Sequence, residues 1–189
     1  MNIVNIGYKS THFYVLAEQR PRLLLDIGWP GTLGQFQNVA KRMGVDLASI
    51  PYMLATHYHM DHAGLAQELK RLGVKLIVME TQVEAIPLMK QHMKPQDHYV
   101  EITLNDNVLV KLADSRAFLA QIGIDGQIVS TPGHSDDSVT LLLDDGSAFT
   151  GDLTPPQMAD PVAQASWDKL RSLGAKMVYP GHGPTYSLR

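Results

Sequence analysis

Thr56-His57-Tyr58-His59-Met60-Asp61-His62 sets three imidazoles and a carboxylate, all able to bind metal, within six consecutive positions. The apolar run before it, Ile50-Pro51-Tyr52-Met53-Leu54-Ala55, reads as a buried strand. The segment after it, Ala63 to Gly73, reads as a helix, with Leu65, Leu69 and Leu72 on one face and Gly73 where a left-handed terminator belongs. The cluster therefore lies on a loop between a strand end and a helix start. In extended backbone alternate side chains share a face, so His57, His59 and Asp61 project together while Tyr58 and Met60 point elsewhere. Asp61 and His62, entering the helix, turn to a neighbouring direction. Imidazole and carboxylate ligands suit zinc or iron, and this many in one loop point to more than one ion.

Working outward, each further candidate ligand also follows a strand. Gln127 to Ser130 delivers Thr131-Pro132-Gly133-His134-Ser135, whose Pro-Gly turn aims His134 off a strand end. Val139 to Leu143 and Ala148 to Thr150 form a hairpin through Asp144-Asp145-Gly146 that ends in Gly151-Asp152. Lys176 to Tyr179 feeds Pro180-Gly181-His182-Gly183-Pro184. Towards the N-terminus, Phe13 to Ala17 and Leu23 to Ile27 make a hairpin around Arg20-Pro21-Arg22. Thr32 is placed to cap a helix with Leu33, Phe36, Ala40 and Met43 on one face, stopping at Gly44. Val74 to Met79 reads as a strand, and Thr81-Gln82-Val83-Glu84 has the form of a capping box opening a helix that Pro87 cuts short. Pro87 to His98 has no clean period and reads as a surface connection, with a flap over a site as the alternative. Tyr99 to Leu112 suggests two strands turning at Asn105-Asp106-Asn107, Arg116 to Ile122 a short helix, and Asp125-Gly126 a hairpin. Asp160-Pro161 opens a last helix to Gly174 with Val162, Leu170 and Leu173 inward. The four motif loops can all open at one edge of a sheet core.

The chain's 189 residues suit one domain, taken as 1–189, and 44% hydrophobic with 19% charged residues is an ordinary globular composition. A net charge of -3 gives no electrostatic reason to expect nucleic acid or an anionic membrane. Cysteine is absent, so any metal is held by nitrogen and oxygen. Met1 to Gly7 has neither a basic region nor a long apolar run, so no signal peptide or transmembrane span is expected and a cytoplasmic location is the default.

Together, His57-x-His59-x-Asp61-His62, Thr131-Pro132-Gly133-His134, Gly151-Asp152 and Pro180-Gly181-His182-Gly183 resemble the metallo-β-lactamase superfamily, in that family's order. Leu25-Asp26-Ile27-Gly28 resembles its strand-end Asp-x-Gly. The resemblance implies an α+β fold, a four-layer αββα sandwich with the metals at one edge of the two sheets. It implies that His57, His59 and His134 hold a first metal, that Asp61, His62 and His182 hold a second, and that Asp152 bridges them. Two zinc ions are expected, with iron or manganese as alternatives. Ions about 3.5–4 Å apart bring a bound water's pKa toward ~7. The implied reaction is attack by a metal-bridging hydroxide on the carbonyl of an ester, thioester or lactone, with Asp61 orienting the nucleophile. The expected partner is a small-molecule substrate; a homodimer is left open by family habit alone.

The residues also separate the branches of that family. True β-lactamases of the fold lack the bridging aspartate, nucleic-acid-processing members carry further domains, and diiron flavoproteins replace the second histidine, here His59, by glutamate. Glyoxalase II matches motif for motif but continues into a helical part with no counterpart after His182, so a glutathione thioester is not expected. Acyl-homoserine lactonases carry a tyrosine where Pro155 stands, leaving Tyr58 or Tyr14 to supply the hydroxyl. A mononuclear iron persulfide dioxygenase, using His57, His134 and Asp152, is the alternative activity, and a non-catalytic metal-binding domain the second alternative. His12 is read as a hydrogen-bonded structural histidine and Trp167 as core. Ser135, Asp136 and Asp137 are placed to hydrogen-bond the ligand shell, and the methionines at 60, 89, 93 and 158 are read as ordinary core or surface residues.

Overall fold

Alternation along the strands sorts the apolar residues into three cores, and those cores fix the layers. In β2 (Tyr14–Ala17) and β3 (Pro21–Leu25), Tyr14, Leu16, Leu23 and Leu25 face one core, while Val15 and Leu24 face another. In β8 (Val139–Leu143) and β9 (Ser147–Gly151), Leu141 and Phe149 join the first of these, while Leu142 and Ala148 face a third with Trp167 and Leu170. The middle core thus lies between two sheets and each outer core lies under helices. The structure is a computed structural model describing residues 1–188.

The first sheet runs β1 (Asn2–Asn5), β2, β3, β4 (Tyr52–Leu54), β5 (Lys75–Met79), β6 (Val108–Val110), antiparallel from β1 to β3 and parallel from β3 to β6. The second runs β11 (Tyr186–Ser187), β10 (Met177–Pro180), β9, β8, β7 (Gly126–Ser130), with only β9 and β10 parallel neighbours. Helix α1 (Leu33–Arg42), with Phe36 and Ala40 buried, covers the first sheet, and α5 (Pro161–Ser172) covers the second. This is the expected αββα sandwich. Its middle core is pinned by Tyr14, edge-on to Phe149 and Tyr179, whose hydroxyl donates to Pro180 O at 2.9 Å. Trp167, fully buried, donates its indole N–H to Thr154 O at 2.7 Å and so anchors the loop after Asp152 to α5.

Several expected elements differ. The helix after the histidine cluster is broken into α2 (Met60–Ala63) and α3 (Ala66–Arg71), because the Gly64 and Leu65 N–H groups are drawn to Gly28 O and Ile27 O. Leu72, Met43, Val162 and Leu173, expected inward, are exposed. Leu72, Met43 and Leu173 are the terminal caps of α3, α1 and α5, where the packed face has already run out, and Val162 opens α5 on the turn away from Ala163 and Trp167. The helix expected at Thr81 is a single 3-10 turn, Glu80–Gln82, whose cap is the Gln82 carboxamide on Met79 N–H. Of the two strands expected between Tyr99 and Leu112 only β6 forms, and Asp125 links α4 (Ser115–Gln121) to β7 rather than turning a hairpin. The 87–98 connection is two 3-10 turns, anchored by buried Ile86 and Met89. Strands β1 and β11, four and two residues long, carried too little pattern to be read. Asp160 caps α5 as expected, accepting Ala163 N–H at 2.8 Å.

Candidate metal centre

Strands β3, β4, β7, β9 and β10 all finish at one edge, and the residue types that follow them decide what that edge can do. β4 runs out into Thr56 and His57, β7 into His134, β9 into Asp152 and β10 into His182. The seven expected ligands do come together there. Donor atoms of His57, His59 and His134 lie within 4.8 Å of one another, as do those of Asp61, His62 and His182, and those of His57, His62 and Asp152. Asp152 Oδ1 is 3.3 Å from His62 Nε2, and its Oδ2 is 3.2 Å from His182 Nε2 and 3.7 Å from His134 Nε2. His59 Nδ1 and His134 Nε2 stand 3.0 Å apart on the open side. No side chain fits at Gly181, where a Cβ would come within 2.5 Å of Asp152 Oδ1 and 2.6 Å of His62.

The orientation of each ring follows from what holds its far nitrogen. Asp26, buried at the end of β3 with φ +58°, accepts Thr56 N–H at 2.8 Å and the Thr56 hydroxyl at 2.9 Å on one oxygen and His62 Nδ1–H at 2.8 Å on the other. Asp is among the few residues other than glycine that adopt left-handed backbone readily. Thr56, its proton committed to Asp26, receives His57 Nδ1–H at 3.2 Å. His182 Nδ1–H donates to Ser10 O. Hence His57, His62 and His182 all turn Nε2 inward. Gln82, completely buried, spans the base of the loop, donating to Ala55 O, Thr56 O and Asp137 O at 3.0–3.3 Å. Asp137 accepts Tyr58 N–H at 2.7 Å, which turns the Tyr58 ring away into the core.

The charges are arranged for a cation. Burial first, then the neighbouring imidazoles, push His57 well below the ordinary histidine value, keeping it neutral. Burial alone would raise Asp61 and Asp152, but His62 outweighs it in both cases and each stays an ionised carboxylate. Burial would likewise lower His62, yet the carboxylates of Asp26, Asp152 and Asp61 drive it well above the ordinary range. Three buried atoms, His57 Nε2, His62 Nε2 and Asp152 Oδ1, have no hydrogen-bond partner among the described residues, and all three face the same space. Leaving such groups unmatched costs about 1–3 kcal/mol each, which a divalent cation coordinated by them would offset. The donor set, nitrogen and oxygen only, fits zinc or iron.

A family model described as the metallo-beta-lactamase superfamily matches residues 6–182. The chain belongs to the metallo-beta-lactamase superfamily. Among curated relatives it is 27% identical over 183 residues to a beta-lactamase-like protein 2 homolog of Drosophila melanogaster, spanning 93% of this chain and 59% of that protein. It is 30% identical over 181 residues to an atrochrysone carboxyl ACP thioesterase of Aspergillus fumigatus, spanning 93% of this chain and 51% of that protein. The chain thus covers little more than half the length of these relatives. The solved structure of a metallo-beta-lactamase family protein from Thermus thermophilus superposes with a TM-score of 0.72 at 19% identity, covering 98% of this chain and 74% of that one. Among the described residues no helix is long and apolar enough to cross a membrane.

His12, read as structural, is so: Nε2 donates to Gly183 O at 2.8 Å and Nδ1 accepts from Asn5 Nδ2 at 2.7 Å. Of the tyrosines weighed for a lactonase hydroxyl, one is hydrogen-bonded elsewhere and the other is buried in the core. Tyr14 donates to Pro180 O, and Tyr58 is buried at 4% exposure beyond Asp137. Sequence reasoning missed Thr11, whose hydroxyl donates to Asp61 Oδ2 at 2.9 Å, and Ser10, because nothing local marks a contact made 50 and 172 residues away. It quoted Asp26 and Gln82 without seeing that they hold the site.

Proposed function

We propose that the chain is a metal-dependent acyl hydrolase that cleaves an ester, thioester or lactone at two zinc ions. His57, His59 and His134 would hold one and Asp61, His62 and His182 the other, with Asp152 in reach of both groups. The observation that carries this reading is the convergence of seven donors, three of them buried and unmatched, on one sheet edge. Bound zinc supplies a Lewis acid for the carbonyl oxygen and acidifies a water toward neutrality. The protein's own groups do the rest. Asp26 and Ser10 fix the imidazole tautomers, and Asp61, an anion with one oxygen held by Thr11, would orient the attacking water. Exposed His59, His134 and His182 leave the open side to the substrate.

Among the three acyl classes the site favours a thioester. With the Tyr14 hydroxyl bonded to Pro180 O and the Tyr58 ring buried in the core, neither supplies a lactonase hydroxyl, and a relative 30% identical bears the name of a thioesterase. The test is zinc-loaded protein offered an acyl-N-acetylcysteamine thioester, an aryl ester and a homoserine lactone. Chelator-sensitive hydrolysis with the highest kcat/KM on the thioester is expected. A tenfold preference for the lactone sinks the thioester choice, and no turnover of any of the three by fully loaded protein sinks the hydrolase.

The raised His62 gives a pH dependence with a definite sign. Burial opposes a proton on His62, but the carboxylates of Asp26, Asp152 and Asp61 outweigh it, so the metal-free ring holds its proton more tightly than an ordinary histidine. Zinc must displace it, so apparent affinity at that position falls about tenfold for each unit the pH drops below the raised His62 value. Calorimetry in buffers of different ionisation enthalpy should find net proton release on zinc binding at neutral pH; an affinity flat from pH 8 to pH 6 contradicts the assignment.

A further inference from the structure

The segment 5–12, running from the last residue of β1 towards β2, contributes none of the seven donors, yet it grips two of them. Thr11, 1% exposed, donates its hydroxyl proton to Asp61 Oδ2 at 2.9 Å. That direction is forced, because an ionised carboxylate only accepts; the hydroxyl oxygen in turn accepts the indole N–H of Trp29 at 3.2 Å. Ser10 O receives His182 Nδ1–H, which turns Nε2 to within 3.2 Å of both Asp61 Oδ2 and Asp152 Oδ2. The segment is itself tied down. His12 N–H donates to Gly181 O at 2.8 Å, its ring bridges Asn5 and Gly183 O, and Asn5 Oδ1 accepts Gly7 N–H at 2.8 Å. Among the described residues no hydrogen bond joins it to His57, His59 or His134. Its grip is one-sided.

We propose that this segment is the brace of one cation position only, the Asp61–His62–His182 group, with Thr11 and Trp29 as positioning residues that act through Asp61. This rests on the dinuclear reading above. An aspartate carboxylate swings about its terminal torsion over a broad range, so a fixed neutral donor on one oxygen is what holds the group at the angle the cluster needs. Asp61 and His182 come from distant parts of the chain, and the brace is the short piece of backbone that touches both. The other position, built from His57, His59 and His134, takes its orientation from Thr56 and from the β4 and β7 ends instead.

The experiment is a competitive-chelator titration of the full chain with zinc, with ions per chain measured on the same samples and the cobalt(II) absorption spectrum as a second readout. Wild type should hold two ions. Thr11→Val keeps the shape and loses the hydroxyl, and should weaken one ion by about 10–100-fold while leaving the other within about threefold. Thr11→Ser should restore the lost affinity. Trp29→Phe frees the Thr11 hydroxyl to rotate and should fall between them; it carries the test if Thr11→Val does not fold. Thr11→Val with both affinities unchanged, or both reduced equally, overturns the brace while the dinuclear reading stands. A wild type that holds a single ion overturns both.

Discussion

Asp152→Ala is expected to remove metal and hydrolysis together while leaving the fold in place. The carboxylate lies on the loop after β9, with Oδ1 at 3.3 Å from His62 and Oδ2 at 3.2 Å from His182 and 3.7 Å from His134. Its oxygens lie within reach of donors from both trios. Without it the cluster loses its shared anion, and the imidazoles face one another with only Asp61 left to offset a second cation. Loss of at least ~4 kcal/mol of transition-state stabilisation, about 10³-fold in kcat/KM, is the scale set by metal-assisted hydrolysis. The fold should hold, because Asp152 caps no helix and pairs in no sheet; metal-free melting should move by no more than about 2–4 °C, the equivalent of about 1 kcal/mol. Atomic analysis of dialysed protein checks the first part and calorimetry the second. Two tightly held ions in Asp152→Ala would sink the shared-ligand assignment.

Asp26 should be the more damaging position for stability, and its two obvious variants should fail differently. Asp26→Ala strands three buried donors at once, Thr56 N–H, the Thr56 hydroxyl and His62 Nδ1–H, and does so on left-handed backbone. At about 1–3 kcal/mol per orphaned group, a loss of about 3–5 kcal/mol is expected. Asp26→Asn tolerates the same backbone and still accepts Thr56 N–H. Its amide, however, faces His62 Nδ1 as a donor, which forces the imidazole to carry its proton on Nε2, inside the cluster. That tautomer cannot bind a cation. Asp26→Asn should therefore lose zinc affinity about 10–100-fold with a much smaller loss of stability. Denaturant unfolding of the metal-free forms separates the two. Asn and Ala variants equally unstable, or an Asn variant with wild-type affinity, would contradict the role given to Asp26.

The part of the site legible in the sequence was the part made of local pattern. His57, His59, Asp61 and His62 are adjacent, and His134, Asp152 and His182 each follow a strand at a glycine-bearing turn. Residue type and spacing are enough for those. The strand at Leu23 to Ile27 was legible for the same reason, while the layers came from the family resemblance and the faces of Leu23, Leu24 and Leu25 only from the structure. What escaped was whatever depends on distant pairing. Thr11 and Ser10 look like turn residues until the fold sets them against Asp61 and His182. Gln82 was taken for part of a capping box opening at Thr81, yet its carboxamide spans Ala55, Thr56 and Asp137. The unbroken helix expected from Ala63 to Gly73 failed because backbone N–H groups at 64 and 65 prefer carbonyls at 28 and 27, a competition periodicity does not contain.

The most direct test of the central claim is the number of ions per chain after metal-stripped protein is re-equilibrated with zinc, iron and manganese, read together with thioester hydrolysis on the same samples. Two zinc ions per chain, with hydrolysis that is lost on chelation and restored by zinc, is the predicted result. One iron per chain, with oxygen consumed on a persulfide and no hydrolysis, would contradict it.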